Sequence, residues 1–457
     1  MRYPTLKQNE SGRMNSYQIT GPTADPADRP ANGAWRGPAA TFQSWRFPDY
    51  RRLWLCIVVA NSGRWSLALG AGWLLFNLTH SSFWVGASFF CIQGPALFMS
   101  PLAGVWADRH DRRRLLTLGL GLAVLATATL AFLTLSGVAS LAPVMVCTLL
   151  CGIAFSVQGT AWGSLLPNVV PRDNLPNAIA LQGTARQGAE FVGPALASPL
   201  LAVAGPGAVF AFAACCYGGA LLLALRIEVR RLAPTQHWGN PFAPLRDGLR
   251  YVRAVPVLGS VVFLVAFHCS LTMTYQGMLP QFASNLVAND GKVYGALMTA
   301  VGLGAIIGTL TLAAVPSQRW YGAAYVATAL ASGATLLLLG RSGAVAPALV
   351  AAVAIGATQA MFMAISFTFL QQLSPDAYVG RVTGLYNFLA SGTMAFMSWG
   401  LGSLAVGTAP ATLMTIAGGA FPAVVLLFVG VPAFRQLCHG ISAGELAEIG
   451  LGGNLSL

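Results

Sequence analysis

The chain has 457 residues, of which 55% are apolar and 9% charged, and its formal net charge is +12. So few polar side chains do not cover a water-soluble globule of this length, which excludes an ordinary soluble enzyme or binding domain.

Residues 1–45 are polar, contain Pro and Gly, and lack the 7–15-residue apolar core of a cleavable signal. They read as a disordered cytoplasmic tail, with Met14 as an alternative start and the first span as the targeting signal. Crossing ~30 Å of hydrocarbon takes about 20 helical residues. Twelve apolar stretches meet that length, near 53–78, 84–106, 115–136, 141–165, 176–204, 208–226, 257–282, 293–315, 321–340, 345–371, 379–405 and 411–432. Continuous runs such as Leu115 to Leu135 do not suit the short alternating strands of a barrel. The expected fold is an all-α membrane protein with 12 transmembrane helices. Its expected parts are the tail, a six-helix bundle over 46–226, a charged linker with an amphipathic helix over 227–256, a second six-helix bundle over 257–432, and a cytoplasmic tail over 433–457.

Placing both termini on one side puts all but four of the 26 Lys and Arg in the tails or in loops after even-numbered spans. The exceptions are Lys292 and Arg341 on the other side and Arg64 and Arg186 within spans. Positive charge is retained at the cytoplasmic face during insertion. Both termini are therefore expected in the cytoplasm, with the chain in the cell (inner) membrane. The basic balance is accounted for by contact with an anionic leaflet, so the expected partners are the lipid bilayer and a small-molecule substrate, with no nucleic acid, and the protein is expected to be a monomer. The eight cysteines are scattered without metal-ligand spacing and read as packing residues; no metal and no cofactor beyond a proton gradient is expected.

A shift of 204 residues pairs Gly104 with Gly308, Gly152 with Gly356, Pro171 with Pro375 and Leu181 with Leu385, each at the same place relative to its spans. A parallel 6+6 repeat of this kind builds transporters whose site lies between the halves near the midplane.

Between spans two and three the chain reads GVWADRHDRRR, Gly104 to Arg114. It resembles the cytoplasmic loop signature of the major facilitator superfamily. WLLFNLTHSSFWVG (Trp73–Gly86), VPRDNLPNAIAL (Val170–Leu181), GPALASPLL (Gly193–Leu201) and PLRDGLRYVRAVPVL (Pro244–Leu258) look like the branch that includes the enterobactin-type siderophore exporters and the macrolide and multidrug exporters. The resemblance covers residues 45–432 and implies two pseudo-symmetric six-helix bundles. It also implies a conformational latch on the cytoplasmic side from Gly104, Asp108, Arg109 and Arg112, with Arg381 near the start of span eleven as partner. The alternative is that these residues serve topology alone, to which an acid such as Asp108 contributes little. Gly193 and Pro194 resemble the antiporter motif, in which a helix bend and small faces let the halves rock. Three departures stand out: Asp111 where the superfamily often has Gly, Ser198 and Pro199 where Gly often follows, and Arg64 where many relatives carry an acid.

In a facilitator, spans three, six, nine and twelve face lipid, and well inside these four the chain has no Asn, Gln, His or charged residue. The other spans carry the candidates for the substrate cavity: Asn61, Arg64, Trp65, Gln158, Trp162, Gln182, Arg186, Thr272, Tyr275, Gln359 and Asn387. An arginine at mid-helix costs ~2.5–3.5 kcal/mol even on a lenient scale and survives only when paired or hydrated. At ~1.5 Å per residue, Arg64 and Arg186 lie about 15 Å from the cytoplasmic end, one turn short of Glu190. Gln182, Arg186 and Glu190 recur at i, i+4, i+8 and share a face. Two readings of Glu190 stand: a structural counter-charge to the arginines, or the group that takes and releases a coupling proton while an arginine holds an anionic solute. His268 is the second candidate for proton coupling, with a hydrogen-bonded packing role as its alternative. His268, Thr272 and Tyr275 are expected on one face of span seven, and the tryptophans line the cavity or pack.

Together these residues lead to a proton-coupled secondary exporter, working by alternating access, of siderophore-like or amphipathic drug-like molecules. The alternatives are a facilitator-type importer or uniporter of an organic anion and, from another class, a non-transporting membrane receptor or scaffold. No constellation for hydrolysis is present, and with only Lys7 and Lys292 in the chain there is no lysine for a nucleotide-binding loop.

Overall fold

With no water in the bilayer core, backbone N–H and C=O groups must be satisfied within the segment, and helices do this. Accordingly the computed structural model is built from helices, with no strand among the described residues, 43–109, 111–171, 174–228, 243–288, 291–313 and 320–438. The expected tails fall mostly outside them, apart from a 3-10 turn at Gln43–Arg46 and a short last helix.

In the first half the helices are α1 (Pro48–Thr79), α2 (Ser82–Gln93), α3 (Pro95–Arg109), α4 (Arg112–Leu135), α5 (Leu141–Val169) and α6 (Leu175–Leu225). The amphipathic linker helix α7 (Ala243–Ala254) follows. The second half comprises α8 (Pro256–Leu271), α9 (Leu279–Leu286), α10 (Gly291–Ala313), α11 (Tyr321–Gly340), α12 (Val345–Gln372), α13 (Asp376–Leu404) and α14 (Pro410–Val429), with α15 (Pro432–Cys438) after it. Among the described residues, ten helical stretches are long and apolar enough to cross a membrane.

Local chemistry sets the boundaries. Pro48 opens α1 and His80 closes it in the left-handed region (φ 50°), its N–H bonded to the Phe76 carbonyl at 2.7 Å. α6 has 51 residues, about 77 Å at ~1.5 Å per residue and more than twice a bilayer core. It is interrupted where the sequence leaves a gap between spans five and six: Gly205 takes φ 74°, ψ −175°, a conformation L side chains rarely adopt, ahead of Pro206. The chain doubles back there, since Gly193 and Cys216 both pack against Ser62 and Gly63 of α1. Span seven is expected to run unbroken from 257 to 282, but α8 ends at Leu271 and a 3-10 turn (Thr274–Gly277) precedes α9. The carbonyl of Thr272 at that break accepts a 2.8 Å hydrogen bond from Gln359 Nε2 on α12, as a membrane interior requires.

The repeat read from the sequence has a packing counterpart. A Cβ at Gly152 would lie 2.2 Å from the Cys91 carbonyl oxygen, and one at its repeat partner Gly356 would lie 1.7 Å from that of Val301. In each half a glycine thus lets the fourth span touch the backbone of the second.

Three apolar clusters hold the molecule. One is private to the first half (Leu53, Leu116, Leu165, Leu181), and one to the second (Val252, Leu264, Tyr325, Phe362, Phe421). The third is shared: Leu69, Leu75, Phe89 and Phe210 of the first half pack with Met278, Leu279, Tyr294 and Met414 of the second. The shared cluster lies at the ends of the spans away from linker helix α7, so the halves merge on one face and keep separate cores on the other. Gly356→Ala is expected to cost about 1–3 kcal/mol through overpacking, read as a lower thermal unfolding temperature in detergent. Gly159→Ala, with open space around it, is the control, and equal melting of the two variants would refute the backbone contact.

Candidate functional site between the two halves

Small residues and aromatic rings seal the face opposite the linker. Trp73 on α1 stacks on Tyr294 on α10 with centroids 5.8 Å apart and planes at 16°. Ser198 Oγ on α6 donates to the Gly295 carbonyl at 2.8 Å and accepts from Thr299 Oγ1 at 2.9 Å. A Cβ at Gly86 would lie 2.3 Å from the Ser398 carbonyl oxygen, and one at Gly402 2.6 Å from that of Ser82. Phe90 packs on Phe396 and Trp399 at the edge of that contact. On the linker face the hydrogen bonds among described residues stay within a half: Tyr50 to Ala178 and Trp54 to Leu181 in the first, Tyr251 to Leu373 in the second.

The middle of the space is polar. Arg64 on α1 donates through Nη2 to Gln93 Oε1, its guanidinium carbon stands 3.7 Å from the centre of the Phe155 ring, and Trp65 lies at 5.4 Å. Gln93 Nε2 reaches Met394 Sδ on α13 of the other half at 3.7 Å. Arg64, Trp65, Gln93 and Met394 border, with Ala68, Phe89 and Ile92, a gap about the size of one water molecule. On α6, Gln182 and Glu190 are half-buried and Arg186 is exposed. Glu190 senses Arg64 and Arg186 and acts on Cys269 and Tyr275 of the second half. None of the three charges closes an ion pair; among the described residues the ion pair is Arg52 with Asp49, 2.8 Å apart.

Other expected cavity residues are turned into helix contacts. Asn61 is buried and donates to the Ile57 carbonyl of its own helix at 2.8 Å. Gln158 donates to the Gly119 carbonyl of α4 at 3.1 Å, and Trp162 is buried with its ring edge-on to Phe155. Thr272 bonds back to the His268 carbonyl at 2.8 Å, and Gln359 satisfies the span-seven break. Tyr275 lies in the 3-10 turn, so the shared face expected for His268, Thr272 and Tyr275 does not exist: α8 stops before it. Asn387 is exposed on α13. His268 is fully buried in the second half's core, stacked on Phe362 at 4.3 Å and edge-on to Phe421 at 5.3 Å, with Nε2 3.0 Å from Ser332 Oγ. That surrounding fits the packing alternative for this histidine.

Of the latch candidates, Gly104, Asp108 and Arg109 belong to α3, with their side chains outside the described set. Arg112 donates to the Ser164 carbonyl at 3.0 Å and Asn168 Oδ1 at 2.8 Å, both on α5 of its own half. Arg381 is exposed, with its guanidinium 5.2 Å from the Tyr378 ring. Asp111, noted as a departure in the motif, caps α4 by accepting from the N–H groups of Arg113 (2.9 Å) and Arg114 (3.4 Å). At the bend motif, a Cβ on Gly193 would lie 2.5 Å from the Ser62 carbonyl oxygen. Ser198 Oγ lies 2.7 Å from the Pro194 carbonyl one turn back and 2.8 Å from that of Gly295, so its single proton is shared between the bend and the other half. Sequence reading missed Phe155 and Met394, because helical periodicity carries no information on which helices meet.

A bundle of membrane-length helices in two repeated halves around a polar centre is the fold of a major facilitator transporter, not an enzyme. The chain belongs to the family described as transmembrane secretion effectors, which matches residues 39–439. It is 27% identical to the staphyloferrin A transporter of Staphylococcus aureus (strain NCTC 8325 / PS 47) over 252 residues, 55% of this chain and 63% of that protein, so the match spans less than two thirds of that relative. It is 26% identical over 405 residues to the enterobactin exporter EntS of Shigella boydii serotype 18, covering 87% of this chain and 96% of the exporter. Among solved structures, a POT family transporter in complex with a thioalcohol conjugated peptide superposes with a TM-score of 0.66 at 11% identity, covering 83% and 95% of the two chains. The nucleoside transporter NupG gives 0.61 at 12%, covering 85% and 99%. These likenesses show the fold.

Arg64→Lys tests the guanidinium's role. A lysine keeps the charge but loses the planar fork that bonds Gln93 while stacking on Phe155, and the loss is expected at about 1–2 kcal/mol in detergent unfolding. Phe155→Leu should cost a similar amount, and the double variant less than the sum; additive losses would show that the two do not interact.

Proposed function

We propose that the protein is a proton-coupled exporter that moves siderophore-like or amphipathic drug-like molecules out of the cytoplasm by alternating access. The observation that carries this reading is the pair on α6: Arg186 exposed and Glu190 half-buried one turn on, the acid within electrostatic reach of Arg64 and Arg186. A single acid between two cations and the other half's Tyr275 suits a group whose protonation changes as its surroundings change. A solute with an anionic group has Arg186 to meet it.

Direction and orientation follow from two further supports. The distribution of basic residues supports a cytoplasmic linker and cytoplasmic termini for a chain in the cell inner membrane. The halves are joined on the face opposite the linker, which supports loading from the linker side. The proposed latch is Asp108 and Arg112 against the start of α13 near Arg381 when the cytoplasmic side closes, with the acid answering the arginine; in the present conformation Arg112 is held within its own half. The relative named as an enterobactin exporter agrees with outward transport of an organic solute.

Efflux from cells expressing the protein is expected to collapse with a protonophore and to fall at least tenfold in Glu190→Gln, with unchanged amount of protein in the membrane. Exchange of labelled for unlabelled solute across vesicles, which needs no net proton movement, should survive in the same variant. Protonophore-sensitive efflux that persists in Glu190→Gln would remove Glu190 from coupling.

A further inference from the structure

The segment VPRDNLPNAIAL (Val170–Leu181) stands out in the sequence yet has no part in the transport cycle above. It leads into α6, the helix of Arg186 and Glu190, and it meets the start of α1, the helix of Arg64. Tyr50 and Trp54 donate to the carbonyls of Ala178 and Leu181, each at 2.9 Å. Further along, Ser66 Oγ lies 3.1 Å from the Gly193 carbonyl, and a Cβ at Gly193 would lie 3.0 Å from Trp65 Cβ. The paired residue numbers differ by 127 or 128 at each of these four contacts, so the two helices run parallel in one register. Before α1 begins, the 3-10 turn adds an end stop. Ser44 gives its N–H (3.1 Å) and its hydroxyl (2.8 Å) to Asn177 Oδ1, and Arg46 Nη2 donates to Asn174 Oδ1 at 3.0 Å. Asn174 stands at the N-cap of α6 and makes no capping bond there, so its acceptor serves the other segment instead of its own helix.

We infer that Gly193 at the outer end, and Ser44 with Asn177 at the inner end, are positioning residues that fix the register of α6 on α1 and so set Glu190, not Arg186, level with Arg64. The inference rests on the reading of Glu190 as the coupling acid. At an offset of 127 or 128 the level of Arg64 on α6 is residues 191–192, next to Glu190. A slip of one turn, about 5.4 Å, would bring Arg64 level with Gln187 and Gly188, beside Arg186. The cation would lose its acid and gain a second cation as neighbour. Backbone carbonyls recur at every turn, so the bonds from Tyr50 and Trp54 hold the helices together without choosing a register. The two ends choose it. A Cβ in the place of Gly193 would lie 2.5 Å from the Ser62 carbonyl oxygen, and one turn to either side stand Ala189 and Ala197, which both carry that methyl. At the inner end a slip takes Asn177 away from Ser44.

The titration of Glu190, read in the purified full-length protein from the infrared carboxyl band that Glu190→Gln removes, tests this. The charged and titratable groups within its electrostatic reach are Arg64 and Arg186, and Cys269 and Tyr275 of the second half. Gly193→Ala, and separately Ser44→Ala combined with Asn177→Ala, should each displace the midpoint from the wild-type value by about half a pH unit or more, because the charge nearest the acid changes. The displacement should vanish when Arg64→Gln is added, since the register acts through Arg64. Gly152→Ala, which crowds α5 against α2 in the same half, should melt earlier and leave the midpoint in place. Unchanged midpoints in the folded variants, an equal displacement in Gly152→Ala, or a displacement that survives Arg64→Gln overturns the positioning role. Where Gly193→Ala does not fold, the variant at Ser44 and Asn177 decides. A wild-type Glu190 that does not titrate removes the coupling reading instead. The register is then read from amide hydrogen exchange over residues 182–190, which the variant at Ser44 and Asn177 should speed at least fivefold; unchanged exchange overturns it.

Discussion

A positive charge in the middle of a bilayer must be answered, and how Arg64 is answered organises the centre of this protein. The group is not neutralised by an acid but shared between a side-chain amide and an aromatic face. A cation held this way keeps most of its attraction for an anion, since neither partner carries an opposing charge. Its supports come from three helices: Phe155 from α5, Trp65 from α1 and Gln93 from the end of α2, where Pro95 ends one helix and begins the next. The centre is thus built before the second half contributes anything but Met394.

The second half is brought in by the absence of side chains. Gly86, Gly402 and Gly295 let backbones of opposite halves approach, and hydroxyls on Ser198 and Thr299 use the carbonyls exposed there. In lipid such contacts compete only with other packing arrangements, because hydrocarbon offers no hydrophobic drive to join helices. An interface made of small residues and single hydrogen bonds, each worth ~1–2 kcal/mol or less, can be parted and remade. The private cores, with Trp162 and Leu165 in the first half and Phe362 and Phe421 in the second, keep each half rigid while that happens.

Much of the architecture was legible in the sequence because it depends on length and apolarity, which single segments carry. The gap between spans five and six fell where Gly205 breaks α6, since Gly and Pro mark such sites locally. Span seven was read as unbroken because 257–282 has the length and mean apolarity of one span, although Gly277 and Pro280 after the polar run Thr272–Gln276 mark the turn locally; the break is supported from outside by Gln359. The same limit applies to the site. Gln182, Arg186 and Glu190 were placed on one face by helical spacing and lie there. Asn61 and Gln158 were expected in the cavity as polar residues inside spans, but their amides serve neighbouring carbonyls, a choice set by three-dimensional neighbours.

The contrast between Glu190 and His268 follows from their surroundings. His268 is enclosed by Phe362, Phe421 and Ser332 inside one half, and those neighbours move with it as a rigid unit. Glu190 stands where the halves face each other, sensing Arg64 and Arg186 from its own half and Tyr275 from the other. When the halves rock, the surroundings of His268 stay the same and those of Glu190 change. Only a group of the second kind has a proton affinity tied to the conformational cycle. In the proposed cycle a cargo anion arriving at the arginines would act on the same acid through their shared charge. In the proposed exporter cycle, cargo and proton would meet at these two arginines, neither of which closes an ion pair among the described residues.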